Sequence, residues 1–458
     1  MELEDIREKI LNIADTAIKY ARDLNIPTAE AFVYNSFETS IEENKGKVDS
    51  RDGIVQGVGI RVAVGKRIGF SSCTGFSEKS IKEALEKAHA IAKASPENPL
   101  FESFVSESKQ SKDGILDSEI LYLTPEKLAD KVSELLYQVD KNDQRIIGLA
   151  VNADKVVRGY AIGTTEGCLV STLTTVFGGS AYAVVMKEGD RKTASEFVIS
   201  RKNEDISELG KKAVAKGFQH LGSKPFNATE ELPIVLHPYT SSAFLSVPFI
   251  QSLSGAAYVE KRNPLGNKLG KKIADERFNL IDSGQIPESQ STVAIDGEGS
   301  PVGETQIIEK GILKTFLYDR MYAKAANTET TANANRGGMM GGIPFESIPS
   351  VSPRKLIVEP VQKNLEEQIA EIDKGIYIEE TPIGLFTANV ITGDFSITSN
   401  NAFLIEKGEL AFPLRSVSIA GNYFKVFESF ISIGNNLIQS PWPLNAPSVS
   451  LEDLTISG

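Results

Sequence analysis

Apolar residues recur at three- and four-residue steps near the start of the chain: Leu3, Ile6, Ile10, Ile13, Ala17, Ala21 and Leu24. That spacing predicts an amphipathic helix over 3–24. Strand-like segments follow, Glu30 to Ser36 and then Ile54 to Ser72, the second alternating around a Gly65-Lys66 turn. Ser77 caps a helix striped by Ile81, Leu85, Ala88 and Ala92, which Pro96 and Pro99 end. Thr124-Pro125 opens another, with Leu128, Val132, Leu135, Leu136 and Val139 on one face. The order then recurs. A strand (Ile146 to Val151) leads to a strand pair around Gly167-Cys168 and a hairpin across Lys187 to Asp190. A helix opened by Asp205, with Glu208 three residues on as in a capping box, closes the series. Residues 25–95 and 145–221 read as two copies of one strand-hairpin-helix unit, each a sheet face covered by a helix.

The polar segment 223–231 reads as a linker between domains at 1–222 and 232–458. Beyond it come a buried strand (Leu232 to Leu236) and a helix over 240–253 that Pro248 must either kink or start late. The remainder is strand-rich, with helical pieces only around Asp319 to Asn327 and Asn364 to Asp373. Its most regular stretch runs from Ala388 to Asn422. Phe395, Ile397 and Ser399 share one face there, and Glu406-Lys407-Gly408 reads as a three-residue hairpin loop. Ile-Glu-Lys-Gly also occurs at Ile308 to Gly311, again between strand-like runs. The expected class is α+β, with a repeat-built N-terminal domain and a mostly antiparallel, barrel-like C-terminal domain.

Composition narrows the function more than the fold. At 458 residues the chain exceeds a single core, and 41% hydrophobic with 24% charged residues is ordinary for a soluble globular protein. No apolar run of about 18 residues predicts a membrane span, and the acidic start MELEDIREKI is unlike a signal peptide. A net charge of -12 argues against general nucleic-acid binding. Cys73 and Cys168 match no metal-ligand spacing and read as reduced thiols, so a cytoplasmic location is expected.

Candidate chemistry is sparse. His89 and His220 read as partly exposed helix residues, while His237 ends a strand just before a helix, where sites gather. One imidazole makes no zinc site, which needs about three protein ligands, and no His-Glu-x-x-His or His-Glu-x-x-x-His occurs. Asp296-Gly297-Glu298-Gly299 reads either as an acid pair or as a Gly-rich turn with solvated carboxylates. Arg336 to Gly342 lacks the Lys-Ser/Thr of a phosphate loop. It reads either as a mobile loop over a groove, with Met339 and Met340 as adaptable contacts, or as a plain disordered loop tip. No Gly-x-Ser-x-Gly elbow is present, and Lys261-Arg262 and Lys271-Lys272 read as solvated faces.

Ala29-Glu30-Ala31, Asp296 to Gly299, Thr392 to Ser396, the Ile-Glu-Lys-Gly hairpin, the Ser-Ile-Ala-Gly-Asn ending and Ala446-Pro447-Ser448 together resemble the TldD/PmbA family. These are metallopeptidase-related proteins also described as modulators of DNA gyrase. The TldD branch carries His-Glu-x-x-x-His on the first helix of its C-terminal domain and a cysteine near its C-terminus. The corresponding helix here, Thr240 to Leu253, has no histidine, glutamate or aspartate, and no cysteine follows it. The resemblance is therefore to the PmbA/TldE branch. It implies a chain without metal or catalytic residues of its own, paired with a TldD-like paralogue that holds zinc, and an unfolded peptide as substrate. Asp394, Phe395, Ser396 and Arg336 are the expected peptide-groove residues. The alternatives are a homodimeric peptide-binding or chaperone-like module, and an independent peptidase with a site relocated to His237, Asp296 and Glu298.

Overall fold

The alternation around Gly65 belongs to a larger sheet than its apolar residues suggest. In a computed structural model, residues 2–458 are described except Ser108, Gln110, Lys141, Met339 and Met340, as are all their side chains but those of Gln251 and Asp453. The reading of Met339 and Met340 thus lies outside the described residues.

Strands β1 (Thr28–Asn44), β2 (Lys47–Val64) and β3 (Arg67–Thr74) form one antiparallel meander, and β4 (Ile146–Thr164), β5 (Leu169–Lys187) and β6 (Asp190–Ser200) form another. They join through β1 and β4 into one six-stranded sheet of order β3-β2-β1-β4-β5-β6. β1 and β2 outrun the expected Glu30–Ser36 and Ile54–Ser72 because their shared outer arm is largely polar, and β4 outruns Ile146–Val151 by continuing into the first strand of the expected pair around Gly167-Cys168. The β1–β2 arm is closed by Lys45-Gly46, both left-handed at φ 54° and 79°, the turn whose twist matches paired strands. Its ladder runs to Asn44 opposite Lys47, and the Thr39 hydroxyl donates to Asp52 at 2.7 Å.

Helices α1 (Leu3–Asp23), α2 (Glu78–Ala94), α3 (Pro125–Tyr137) and α4 (Leu209–Gln219) cover one face of this sheet. Ser77 and Thr124 cap α2 and α3 as their sequences require, accepting N–H bonds from Ser80 and Lys127. Asp205 does not open α4. It accepts the Ser207 N–H in a local turn, and the helix starts four residues later.

The sheet's second face is buried as well, which one-helix-per-unit logic did not anticipate. Along β1, Ala29, Ala31 and Val33 pack under the helices, whereas Phe32 and Tyr34 pack with Ile162, Val170, Ile295 and Phe345. The last two come from the C-terminal half. Gly59 lets that half approach: a Cβ there would lie 2.6 Å from the Phe345 carbonyl oxygen.

The C-terminal half is built on an open eight-stranded sheet, not a barrel. Its order is β9 (Asp394–Ser399), Val417–Asn422, Val449–Ser457, β7 (Thr229–Leu236), β8 (Lys374–Ile378), Ala402–Glu406 and Glu409–Leu414, with Phe430–Ile433 also paired to Val449–Ser457. Closure would require the two end strands to pair. Each end instead holds an irregular segment: Ile383 exchanges both backbone bonds with Thr398 on β9, and Lys224 bonds to Pro413 and Arg415 beside the other. Such caps remove the exposed edge that a barrel would otherwise consume. Lys224 also belongs to the expected linker 223–231, whose Phe226 is buried and whose last three residues open β7. Both Ile-Glu-Lys-Gly turns are two-residue loops rather than three: Lys310-Gly311 and Lys407-Gly408 are left-handed at both positions.

Helix α5 (Pro238–Ser252) fills the sheet's inner face, with Pro248 inside it. A second, five-stranded sheet (Leu280–Ser283, Glu304–Glu309, Ile312–Leu313, Leu356–Val358 and Leu444–Asn445) completes that core.

Candidate functional site

Strands β7 and β8 are parallel neighbours, and the crevice beyond the carboxyl ends of parallel strands is a habitual place for ligands. Here β7 delivers His237 and β8 delivers Glu379 and Glu380. From the other half, α4 contributes Lys216 and His220, and β6 contributes Ser195 and Glu196. His220 Nε2 lies 2.8 Å from Glu379 Oε2. Lys216 Nζ lies 2.8 Å from Glu196 and 3.2 Å from Glu380, and the Ser195 hydroxyl donates to Glu380 at 3.0 Å. His220 is fully buried rather than an exposed helix residue, because the end of β8 closes over it.

The acids in this crevice are each held by a basic side chain. Burial pushes Glu379 up, but His220 and Lys216 outweigh it and hold its carboxyl below the usual range. Burial pushes Lys216 down, and Glu380 with Glu196 more than reverses this. Burial and the nearby Lys216 depress His237 to about 4, so it is a neutral imidazole near pH 7 whose Nδ1 accepts the Tyr239 N–H at 3.3 Å. The group fastens the two halves together and offers no activated nucleophile.

Helix α5 begins at this crevice. Its serine and threonine hydroxyls turn back onto backbone carbonyls: Thr240 to Glu379, Ser241 to Leu236, Ser242 to Pro238, Ser246 to Ala243 and Ser252 to Pro248. The helix carries no imidazole, carboxylate or thiol. Among the described residues no three of His, Cys, Asp and Glu are grouped to hold a metal ion. The residues present do not fit zinc at this helix. Over its start lies an aromatic shelf, Phe197 on Tyr239 (4.8 Å between centroids), Tyr239 on Trp442 (6.3 Å) and Trp442 on Phe386 (6.0 Å).

Asp296 and Glu298 do not join His237. They belong to a buried network at the other seam between the halves, so a combined His237, Asp296 and Glu298 site is not assembled. Arg61 on β2 stands opposite Glu30 on β1, donating to it at 2.8 and 2.5 Å and to Glu298 at 3.2 Å. Arg336 donates to the same Glu30 carboxylate and, at 2.8 Å, to the Gly297 carbonyl. Asp296 accepts the N–H groups of Glu298 and Ser300. Asp319 caps the short helix Arg320–Ala325 by accepting the Tyr322 N–H at 2.8 Å.

Burial raises Glu30, but Arg61 and Arg336 outweigh it and keep the carboxyl ionised well below the usual range. Burial, reinforced by Glu298, lifts Asp296 to about 6 and Asp319 to about 7. Burial lowers the Arg336 guanidinium to about 10, against the opposing pull of Glu30 and Glu298. A cavity of about 660 Å3 opens above Arg61, Glu298 and Asp319, walled by Phe70, Phe101 and Phe104.

The four expected groove residues separate. Asp394 and Ser396 are exposed on the end strand β9, and Asp394 is held by the Thr392 hydroxyl and the Asn422 amide at 2.8 Å each. Arg336 is buried in the network just described. Phe395 is 4% exposed and sits between Phe244 and Tyr423, at 5.1 and 4.7 Å. It is a core residue. Phe395→Ala should cost about 3–5 kcal/mol in chemical denaturation, and a cost below about 1 kcal/mol would contradict this packing. Sequence reasoning missed Glu30, Arg61, Asp319, Lys216 and Glu379. The available signal was an acid inside the apolar run of β1, since a charge in a buried strand requires a partner.

Comparison with known proteins bears on both halves. Residues 229–458 match the model of the PmbA/TldA metallopeptidase C-terminal domain, and residues 29–92 match PmbA/TldA metallopeptidase domain 1. An uncharacterized protein of Methanocaldococcus jannaschii is 28% identical over 423 residues, covering 92% of this chain and 94% of that one. A protein of Buchnera aphidicola subsp. Schizaphis graminum named metalloprotease TldD homolog is 25% identical over 433 residues, covering 88% and 86%. The crystal structure of TldE from Thermococcus kodakarensis has the same fold, with a TM-score of 0.86 at 24% identity and coverage of 98% and 99%.

Proposed function

Because this chain belongs to the PmbA/TldD metallopeptidase family, we propose that it is the PmbA/TldE-like, non-catalytic subunit of a two-subunit zinc peptidase. A TldD-like paralogue supplies the zinc and the general base, and this chain supplies interface and part of the chamber that holds an unfolded peptide. One observation carries the reading. Helix α5 starts where a site would be expected, yet it has no metal donor and its serine and threonine hydroxyls are spent on backbone carbonyls. Such a helix can shape a chamber but cannot activate water.

The margin beside the end strand β9 suits the holding role. Its backbone edge is taken by Ile383 and Asn389, while the side chains of Asp394 and Ser396 stay exposed. Beside it, Ile383, Phe386 and Ile391 are 65, 67 and 73% exposed, an apolar margin of the kind partner subunits cover. The pair works in the cytoplasm, and no described helix is long and apolar enough to cross a membrane.

Gentle purification of the tagged chain from its native host tests the reading. The expected result is a similar-sized protein bearing His-Glu-x-x-x-His at equal stoichiometry, with zinc bound to that partner. Recovery of the chain only with itself and free of metal would favour the homodimeric peptide-binding module instead. Stoichiometric metal on this chain alone would overturn both.

A further inference from the structure

The face of the six-stranded sheet that meets the C-terminal half encloses another cavity, of about 500 Å3. Phe32, Tyr34 and Tyr160 form its aromatic floor, and Arg158, Arg336 and Arg354 reach it. The three guanidiniums differ in state. Arg336 is engaged by Glu30 and by the carbonyls of Gly297 and Ser347. Arg354 gives one arm to the Ala334 carbonyl, while its buried Nε has no partner. Arg158, half-buried on β4, makes no ion pair and no side-chain hydrogen bond among the described residues.

Among the described acids nearby, buried Asp282 and Asp296 act on Arg354, and none is paired with Arg158. Glu38 lines the mouth, but it is exposed and takes the Ser36 hydroxyl. Asp113 is held by Arg7, by the Thr172 hydroxyl and by the Leu173 N–H. Arg201 gives four of its donors to the carbonyls of Ile115, Ser289, Thr292 and Leu173. Its guanidinium is pushed down to about 10 by burial, with Arg158 adding to the effect. Arg158, and the part of the Arg354 fork not spent on the Ala334 carbonyl, therefore reach the cavity beside its aromatic floor.

Planar guanidinium forks complement planar carboxylates, to which they donate two parallel bonds. We propose that this cavity binds a carboxylate, and that the carboxylate is the C-terminal one of the peptide this chain holds; the inference rests on the peptide-holding role proposed above. A terminal carboxylate is present on every chain whatever its sequence, which suits sequence-tolerant capture. The aromatic floor accepts the side chain of the last residue, and a volume of this size accommodates a residue or two.

The test measures fluorescence anisotropy with the full chain in the assembly in which it purifies. The probes are a labelled, unstructured peptide ending in Phe, its C-terminal amide, and an amide carrying Glu in place of that Phe. The free acid should bind about tenfold more tightly than the Phe amide. Arg158→Gln should abolish that difference while leaving the melting temperature and amide binding unchanged. Equal binding of acid and Phe amide, or an unchanged difference in Arg158→Gln, overturns the carboxylate site and leaves the holding role standing. Binding of the Glu amide as tight as the free acid overturns the assignment to the chain end. Absence of binding by every probe overturns the holding role and this inference with it.

Discussion

Glu30→Ala is expected to remove about 3–5 kcal/mol of folding stability, read as a fall in the denaturant midpoint at an unchanged slope. The carboxylate is wholly buried and is shared by Arg61 on the neighbouring strand and Arg336 from the other half. Removing it leaves two guanidiniums in a low-dielectric seam, with Glu298 alone against them. Glu30→Gln, which keeps the shape and one acceptor, should recover only part of the loss. A Glu30→Ala protein within about 1 kcal/mol of the parent would mean that water reaches both arginines.

Asp319→Asn is expected to act in the opposite direction. The folded-state carboxyl is raised from an ordinary 3.8 to about 7 by burial and by Glu298. A raised acid binds its proton more tightly folded than unfolded. Its contribution is therefore full below about pH 4 and is lost as pH rises through about 7. At pH 8 the parent must hold an ionised Asp319 beside Glu298. Asparagine keeps the cap on Arg320–Ala325 without the charge, so the variant should be more stable there by about 1–3 kcal/mol. The gap should narrow as the pH falls and close by about pH 4. A variant no more stable than the parent at pH 8 would show that Asp319 is not desolvated. Glu30 has the reverse sign: its folded carboxyl lies below 4.5, so its contribution is present above that pH and is lost as the pH falls further.

What could be read from the sequence was what repeats locally. The stripe Ile6, Ile10, Ala17 and Ala21 and the caps at Ser77 and Thr124 produce helices because the neighbours that decide them are a turn away. The faces of Asp394–Ser399 were likewise legible as alternation. Their use was not: Phe395 faces Phe244 and Tyr423, and nothing in its own strand announces those rings. The barrel expectation failed for a similar reason. Lys224 and Ile383 cap the sheet ends from segments that look like loops. His220 is buried by a β8 residue more than a hundred positions later, and Glu30 finds Arg336 at still longer range. The polar arm around Lys45-Gly46 is a strand by its ladder alone, and hydrophobic pattern is blind to ladders. Missing metal ligands on α5, by contrast, are a property of letters and needed no coordinates.

The symmetric sheet carries a cost during synthesis. Within each meander, strands meet over tight turns and can zip as soon as they exist. The ladder between β1 and β4 pairs residue 30 with 164 and residue 44 with 150, and such distant pairings form slowly. A growing chain therefore releases β1, 17 residues long and rich in buried positions, well before its partner leaves the ribosome. Until then one side of the first meander is a bare strand edge, open to pairing with a neighbouring nascent chain. On polysomes, this protein is most exposed to misassembly in the interval between the emergence of β3 and that of β4.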